Sequence, residues 1–332
     1  MTRMHGGADA LGVPRFDFSS NSNACGPCPA ALTLIQQADA TVYPDANYTS
    51  LRKNLAAFHG VETWRVVLAS SASEFIFRMT AMVAMQSSLQ GKVCVPTHGY
   101  GDYAHAAQAW ELGIVSKPED AQLVWACEPS SPLGGVHSLW ATELKFLQQT
   151  LRQTVVLDCA YEPLRLSGQS SLSVEQRDVI WQLWTPNKAL GLTGVRAAYA
   201  IAPLNAQQDA LAVERLCASW PIGAHGVALL TAWTERGVQD WLAESLSILK
   251  TWKVRQIDLL QNLGWACLTS ESNFFCASSP SQMNMATILL HLREQGIKLR
   301  DAASFGMPHF ARISVQTPVA QDALMAALKE LS

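Results

Sequence analysis

Short apolar runs, each bounded by polar or turn-forming residues, recur at 66–69, 93–96, 123–127, 154–161, 179–184 and 195–202. They are too short for buried helices, so they read as strands covered on both faces, as in a parallel sheet. The segments between them carry helical spacing instead. Residues 29–38 begin with a proline in the first turn, and 48–59 follow the turn signal Tyr43-Pro44-Asp45. Phe75, Ile76, Met79 and Val83 share one face of a helix that starts at 70–74. Further helices are expected from Tyr100-Gly-Asp-Tyr103 onward and over 142–153. Strands alternating with helices predict an α/β fold, a mainly parallel sheet with helices on both faces and ligands at the carboxyl ends of its strands.

After Pro203 the spacing turns helical, over 204–219 and then 227–263 with an interruption near Arg236-Gly237. Short strands and helices return at 273–276, 285–295, 297–300, 311–315 and 320–331, the pattern of a small C-terminal α/β domain. The polar, glycine-rich start around His5-Gly6-Gly7 cannot build a core element alone and reads as an arm. The expected division is an arm over 1–28, a large domain over 29–235, and a linker helix with a small domain over 236–332.

Composition narrows the class. A chain of 332 residues with 49% hydrophobic and 15% charged residues has ample material for a buried interior. A net charge of −3 favours neither nucleic acid nor an anionic membrane as partner. No signal-peptide pattern or long apolar span is visible, so a cytoplasmic location is expected. Of the eight cysteines only Cys25-Gly-Pro-Cys28 has motif spacing. Its lead-in, Ser19-Ser20-Asn21-Ser22-Asn23, is not the strand that redox use requires, so neither redox chemistry nor a metal is expected.

Candidate chemistry gathers at strand ends. The run over 154–161 finishes in Asp158 and Tyr161, and a carboxylate at the end of a buried strand is costly without a cationic partner. The strand over 179–184 delivers Thr185 and Lys188, with Gly191, Gly194 and Arg196 close behind. A lysine amine, once deprotonated, attacks carbonyls to form a Schiff base. An acid for a pyridine nitrogen, a phenol for a ring oxygen, a lysine for an aldehyde and an arginine for a phosphate together meet the needs of pyridoxal phosphate.

At these residues the chain resembles the fold type I pyridoxal-phosphate enzymes of the aminotransferase class I/II family. Asp158 to Tyr161, Thr185 to Lys188 and Gly194 to Arg196 match its D-x-x-Y, S/T-x-x-K and G-x-R motifs in order. The segments HGG, DFSSNSN and YPDANYTSLRKNLAAFHGV are similar to the threonine-phosphate decarboxylases of cobalamin biosynthesis and the histidinol-phosphate aminotransferases. The resemblance implies a homodimer in which Tyr43 reaches the cofactor phosphate of the second copy. It also implies a phosphate cup at Ser71, Ala72 and Ser73, and an aromatic stacked on the ring, Tyr100 or, without an insertion, His98. Ser131 stands where the ring oxygen is contacted. Arg312 is implied to hold a substrate carboxylate and Arg300 a substrate phosphate, with Asn21 and His5 orienting the substrate. The chain departs from the family at Ser71, usually glycine, at Ser131, usually asparagine, and at Asn187, usually serine or threonine.

These residues point to an enzyme acting on a small phosphorylated amino acid, with decarboxylation of the threonine-phosphate type as the leading expectation. A histidinol-phosphate-type aminotransferase is the alternative. A pyridoxal-phosphate-binding protein without catalysis, suggested by the three departures, is a third reading.

Overall fold

The computed structural model describes residues 5–87, 90–137, 153–280 and 283–331. The apolar runs form strands β2 (Val66–Ala69), β3 (Lys92–Cys94), β5 (Leu123–Cys127), β6 (Thr154–Asp158), β7 (Trp181–Trp184) and β8 (Ala198–Ile201). A short strand between β3 and β5, β4 (Gly113–Val115), completes a seven-stranded sheet of order β2-β8-β7-β6-β5-β3-β4. All its neighbours are parallel except those of β8, which runs against both β2 and β7. Helices Ala72–Gln86, Gly101–Ala109 and Gln207–Arg215 pack on one face. Pro29–Gln36, Thr49–His59, Ala224–Trp233 and the first turns of Arg236–Asn262 cover the other. Both faces are therefore dry, which is why the strands read as continuous apolar runs rather than alternating ones.

The C-terminal part carries β9 (Ala266–Cys267), β10 (Phe274–Ser278), β12 (Arg300–Asp301) and β13 (Ala311–Ser314) in an antiparallel sheet of order β12-β13-β10-β9. The single strand expected over 297–300 is divided. Its first half, β11 (Ile297–Lys298), pairs in parallel with β1 (Phe16–Asp17), and its second half is β12. The N-terminal arm is thus fastened to the C-terminal part. Asp9 adds salt bridges to Arg293 and Lys298 at 2.8 and 2.9 Å.

Other boundaries moved for local reasons. The helical interruption falls at Thr234 and Glu235, where backbone N–H groups turn back to Thr231 and Ala232, and Gly237 lies inside the following helix. Val195 and Arg196 precede β8 because Val195 closes a turn onto Leu192. Edge strand β4 is three residues long, Gly-Ile-Val, and mostly exposed, so it is too short to read as a strand. The helix expected over 142–153 lies outside the described residues, save Gln153, which is not helical.

Against the inner face, Trp233 Nε1 donates to the Tyr199 hydroxyl, which lies 2.8 Å from His59 Nε2. Burial holds the His59 pKa down to about 4, so the folded state keeps the ring neutral where the unfolded chain would protonate it. The unfolded state binds more protons in this range, and stability should fall as pH drops from about 6.5 toward 4. A His59→Gln variant should lose less of its urea midpoint between pH 7 and pH 4.5 than the parent; an equal loss in both would remove His59 from the account.

Candidate active site

The register sets the site. Cys127, Asp158 and Leu183 are successive cross-strand partners, so β5, β6 and β7 end in one row and release their loops at the same edge. Because β8 runs the opposite way, the residues entering it arrive at that edge too.

The loop after β7 places Lys188 half-buried, with Nζ 5.4 Å from the centre of the Tyr161 ring. Its backbone is pinned: Asn23 N–H donates to the Lys188 carbonyl at 2.9 Å, and Leu192 N–H donates to the Asn187 carbonyl at 2.8 Å. The Asn187 amide bonds the carbonyls of Thr193 and Val195, so this departure serves to brace the loop. Gly191 has a φ of +69°, and a Cβ there would come within 3.0 Å of Gly26 Cα. Only glycine meets both demands.

Asp158 is buried, and no cation among the described residues is bonded to it. Its Oδ2 accepts from the Tyr103 hydroxyl at 2.6 Å and its Oδ1 from Ala160 N–H at 2.9 Å. Burial raises the carboxyl pKa, while these donors and the Lys188 charge offset it in part. Tyr103 stacks on Trp125 with centroids 4.9 Å apart. Sequence reasoning placed Tyr103 only at a helix start, and nothing in its spacing announced the bond to Asp158.

Ser71 sits in extended backbone, φ −170°, and caps helix Ala72–Gln86 by accepting from Glu74 N–H. Any residue adopts that conformation, so serine at this position carries no backbone strain. The Ala72 and Ser73 N–H groups have no partner among the described residues, leaving the positive end of a 15-residue helix open to an anion. The Ser73 hydroxyl meets the Tyr100 hydroxyl at 3.0 Å. His98 instead bonds the Phe305 carbonyl through Nδ1, which leaves Tyr100 as the aromatic beside Ser73. Continuing the β2–β8 register beyond Ala69 and Ala198 brings Arg196 opposite Ser71, and Arg196 is exposed with no ion pair among the described residues.

The opposite wall comes from the small sheet and the arm. Arg300 and Arg312 are cross-strand partners on β12 and β13, both buried. Arg312 donates to Ser131 Oγ at 3.0 Å and to the Ser19 carbonyl at 2.8 Å, and its Nε is unpartnered. Arg300 donates to the Asp301 carbonyl and Ser304 Oγ, both at 2.7 Å. Burial and the neighbouring Arg312 lower the Arg300 pKa to about 10. Both guanidinium groups lie over the Phe305 ring, at 4.9 and 5.6 Å, a partner that sequence reading missed. Asn21 is fully buried in left-handed backbone, φ 56°, with both amide atoms unpartnered. The Thr185 hydroxyl is likewise buried and unpartnered. His5 is exposed near Tyr100, ring centroids 6.2 Å apart. A Cβ on Gly6 would overlap the Ser19 carbonyl, which gives the HGG stretch a packing reason.

Two sites stand apart. Tyr43 is 77% exposed and stacks on Trp220 at 4.5 Å, outside the cleft of its own chain. Burial pushes the Cys25 thiol up to about 11, the reverse of what a reactive thiol needs, and Cys28 is wholly buried.

Chemically, the cleft offers an amine between a buried acid that burial still holds above its usual pKa and an open helix N-terminus, with two arginines opposite. A group bringing a cation to Asp158 and a phosphate to Ala72 and Ser73 would satisfy both ends. The orphaned Asn21 and Thr185 atoms supply further polar contacts, so the donor set fits pyridoxal phosphate.

Comparison with known proteins agrees. A histidinol-phosphate aminotransferase from Jannaschia sp. (strain CCS1) is 28% identical over 99% of this chain and 93% of its own. The fold matches a solved histidinol-phosphate aminotransferase from Clostridium acetobutylicum, TM-score 0.82, 21% identity, covering 95% of this chain and 98% of that one. It matches one from Sinorhizobium meliloti in complex with pyridoxal-5'-phosphate, TM-score 0.78, 20% identity, over 94% and 90%. An L-threonine-O-3-phosphate decarboxylase from Porphyromonas gingivalis lies further off, TM-score 0.72, 17% identity, over 90% and 92%. The model of the aminotransferase class I and II family matches residues 14–328, and the chain belongs to this family of pyridoxal-phosphate-dependent enzymes.

Proposed function

We propose that the chain is an aminotransferase of the histidinol-phosphate type, exchanging an amino group between a phosphorylated amine and a keto acid. The carrying observation is the buried Arg300–Arg312 pair, two cations that are cross-strand partners on adjacent strands and that both lie over the Phe305 ring. Like charges side by side favour an anion between them, and a phosphate dianion can pair with two guanidinium groups. Relatives with the aminotransferase name span almost the whole chain, whereas the decarboxylase likeness is one of fold at lower identity. That balance favours transamination over the decarboxylation that the arm motifs suggested.

In this reading Lys188 holds the cofactor, Asp158 faces its ring nitrogen and Tyr161 its ring oxygen. Ser71, Ala72, Ser73, Thr185 and Arg196 surround its phosphate, and Tyr100 covers the ring. Ser131 serves Arg312 rather than the ring oxygen. Tyr43 completes the site of a second copy in a homodimer. The bound cofactor supplies an electron sink beside the amine carbon. Once the substrate amine has taken its place on the cofactor, the freed Lys188 Nζ would accept the proton from that carbon and hold it as an ammonium, a task suited to an amine in a partly buried loop. Asn21 and His5 orient the substrate, and Arg300 and Arg312 hold its anionic end.

Losing one partner of a buried charged hydrogen bond costs about 2 to 5 kcal/mol, so Arg300→Ala and Arg312→Ala should each weaken use of histidinol phosphate by roughly tens to thousands of fold. Cofactor loading should hardly change. Steady-state rates with histidinol phosphate and with histidinol test this: the parent should prefer the phosphorylated amine, and Arg300→Ala should erase most of that preference. No preference in the parent would end the phosphate reading. Carbon dioxide released from threonine phosphate, without keto product from histidinol phosphate, would restore the decarboxylase.

A further inference from the structure

We infer that Glu128 is a positioning residue for the substrate-binding end of the site, acting through Ser131 on Arg312. The inference rests on Arg312 holding the substrate anion, as proposed above. Glu128 follows β5 and is 2% exposed. Its carboxylate accepts from Ser171 N–H at 2.7 Å, Ser171 Oγ at 2.6 Å, Arg165 Nη2 at 3.2 Å and His137 N–H at 3.4 Å. One buried anion therefore ties both ends of the 128–137 loop to the segment that follows β6. Within the loop, Ser130 N–H donates to the Gly135 carbonyl at 2.7 Å, and Gly134 N–H donates back to the Ser130 carbonyl. The far side is fixed as well, because Glu271 N–H donates to the Gly134 carbonyl at 2.7 Å.

Ser131 stands inside this brace, and its Oγ receives Arg312 Nη1. The other Arg312 bond reaches the Ser19 carbonyl, so Ser131 is the one side chain hydrogen-bonded to the guanidinium among the described residues, and it sets the group's direction where it lies over the Phe274 and Phe305 rings. Arg165 completes the support. It pairs with Glu128, with Glu162 at 2.8 Å and with Glu271, and so joins the large sheet, the 128–137 loop and the C-terminal part through one guanidinium. A buried carboxylate with four donors is rigid, and rigidity there fixes an arginine that must meet an anion at a set angle. Glu128 does touch Asp158, its N–H donating to the Asp158 carbonyl at 3.2 Å, but that bond is backbone to backbone and does not depend on the Glu128 carboxylate, so the effect of changing the side chain should fall on substrate binding rather than on proton transfer.

The test uses the cofactor-loaded enzyme, with inorganic phosphate binding measured by calorimetry beside kcat and KM for histidinol phosphate. Glu128→Ala should weaken phosphate binding and raise KM by about tenfold while kcat stays within about threefold. Glu128→Gln, which keeps an acceptor but no charge for Arg165, and Ser171→Ala, which removes one hydroxyl, should move phosphate binding the same way by about threefold. They decide the matter if Glu128→Ala does not fold. In an Arg312→Ala background each of these changes should alter phosphate binding by less than about twofold, since the group being positioned is gone. Effects that simply multiply with Arg312→Ala, or that fall on kcat with KM unmoved, overturn the positioning role. Arg312→Ala leaving phosphate binding and KM unchanged would instead remove the Arg312 reading itself.

Discussion

Lys188→Ala should abolish covalent attachment of the cofactor and lower turnover by at least about a thousandfold, because both the carbonyl-binding amine and the proton carrier disappear together. The fold should survive. Lys188 is half-buried, and the loop around it is held by backbone bonds from Asn23, Gly191 and Leu192 that do not involve its side chain. Borohydride reduction of the loaded parent followed by mass spectrometry should find the added mass on the peptide containing Lys188. The variant should show none, and circular dichroism should match the parent. An adduct that persists in the variant would move the covalent role to another residue.

Asp158→Asn should cut turnover by roughly two to four orders of magnitude by removing the charge that keeps a ring nitrogen protonated. The same change should have an opposite effect on the cofactor-free protein. Burial raises the Asp158 pKa, so the folded carboxyl holds its proton more tightly than the unfolded one. Stability of the cofactor-free form is then lost as pH rises through that range, and asparagine, which need not ionise, should relieve the loss. Melting of the cofactor-free pair should therefore show the variant equal to or more stable than the parent at pH 8, while loading with cofactor should stabilise the parent more. A variant with near-normal turnover would leave Asp158 as an acid at the end of a strand.

Much of this site was legible in sequence because it hangs on one sheet edge. Asp158, Thr185 and Lys188 follow apolar runs whose length and composition mark buried parallel strands, and the motif order survives divergence. The opposing wall was less legible. Arg300 and Arg312 could be named by resemblance, but their adjacency arises from a short antiparallel register between β12 and β13. Two-residue strands such as β1 and β12 carry no periodicity to read. Ser131 meeting Arg312 joins residues 181 positions apart, and Tyr103 meeting Asp158 joins residues 55 apart. Such contacts are set by packing of the whole sheet, which local pattern does not encode. The strand over 297–300 failed as a single unit for the same reason, since which edge each half joins depends on where the arm lies.

The pairing of β1 with β11 also dictates an order of assembly. Phe16 meets Ile297 and Asp17 meets Lys298, so β1 finds its partner only after every strand of the large sheet has been made. The strands bearing Asp158 and Lys188 can pair long before that. A nascent chain should therefore acquire its lysine and acid early. Asn21 and the Ser19 carbonyl that braces Arg312 should lock later, so on the proposed roles the substrate wall of the cleft forms after its cofactor wall.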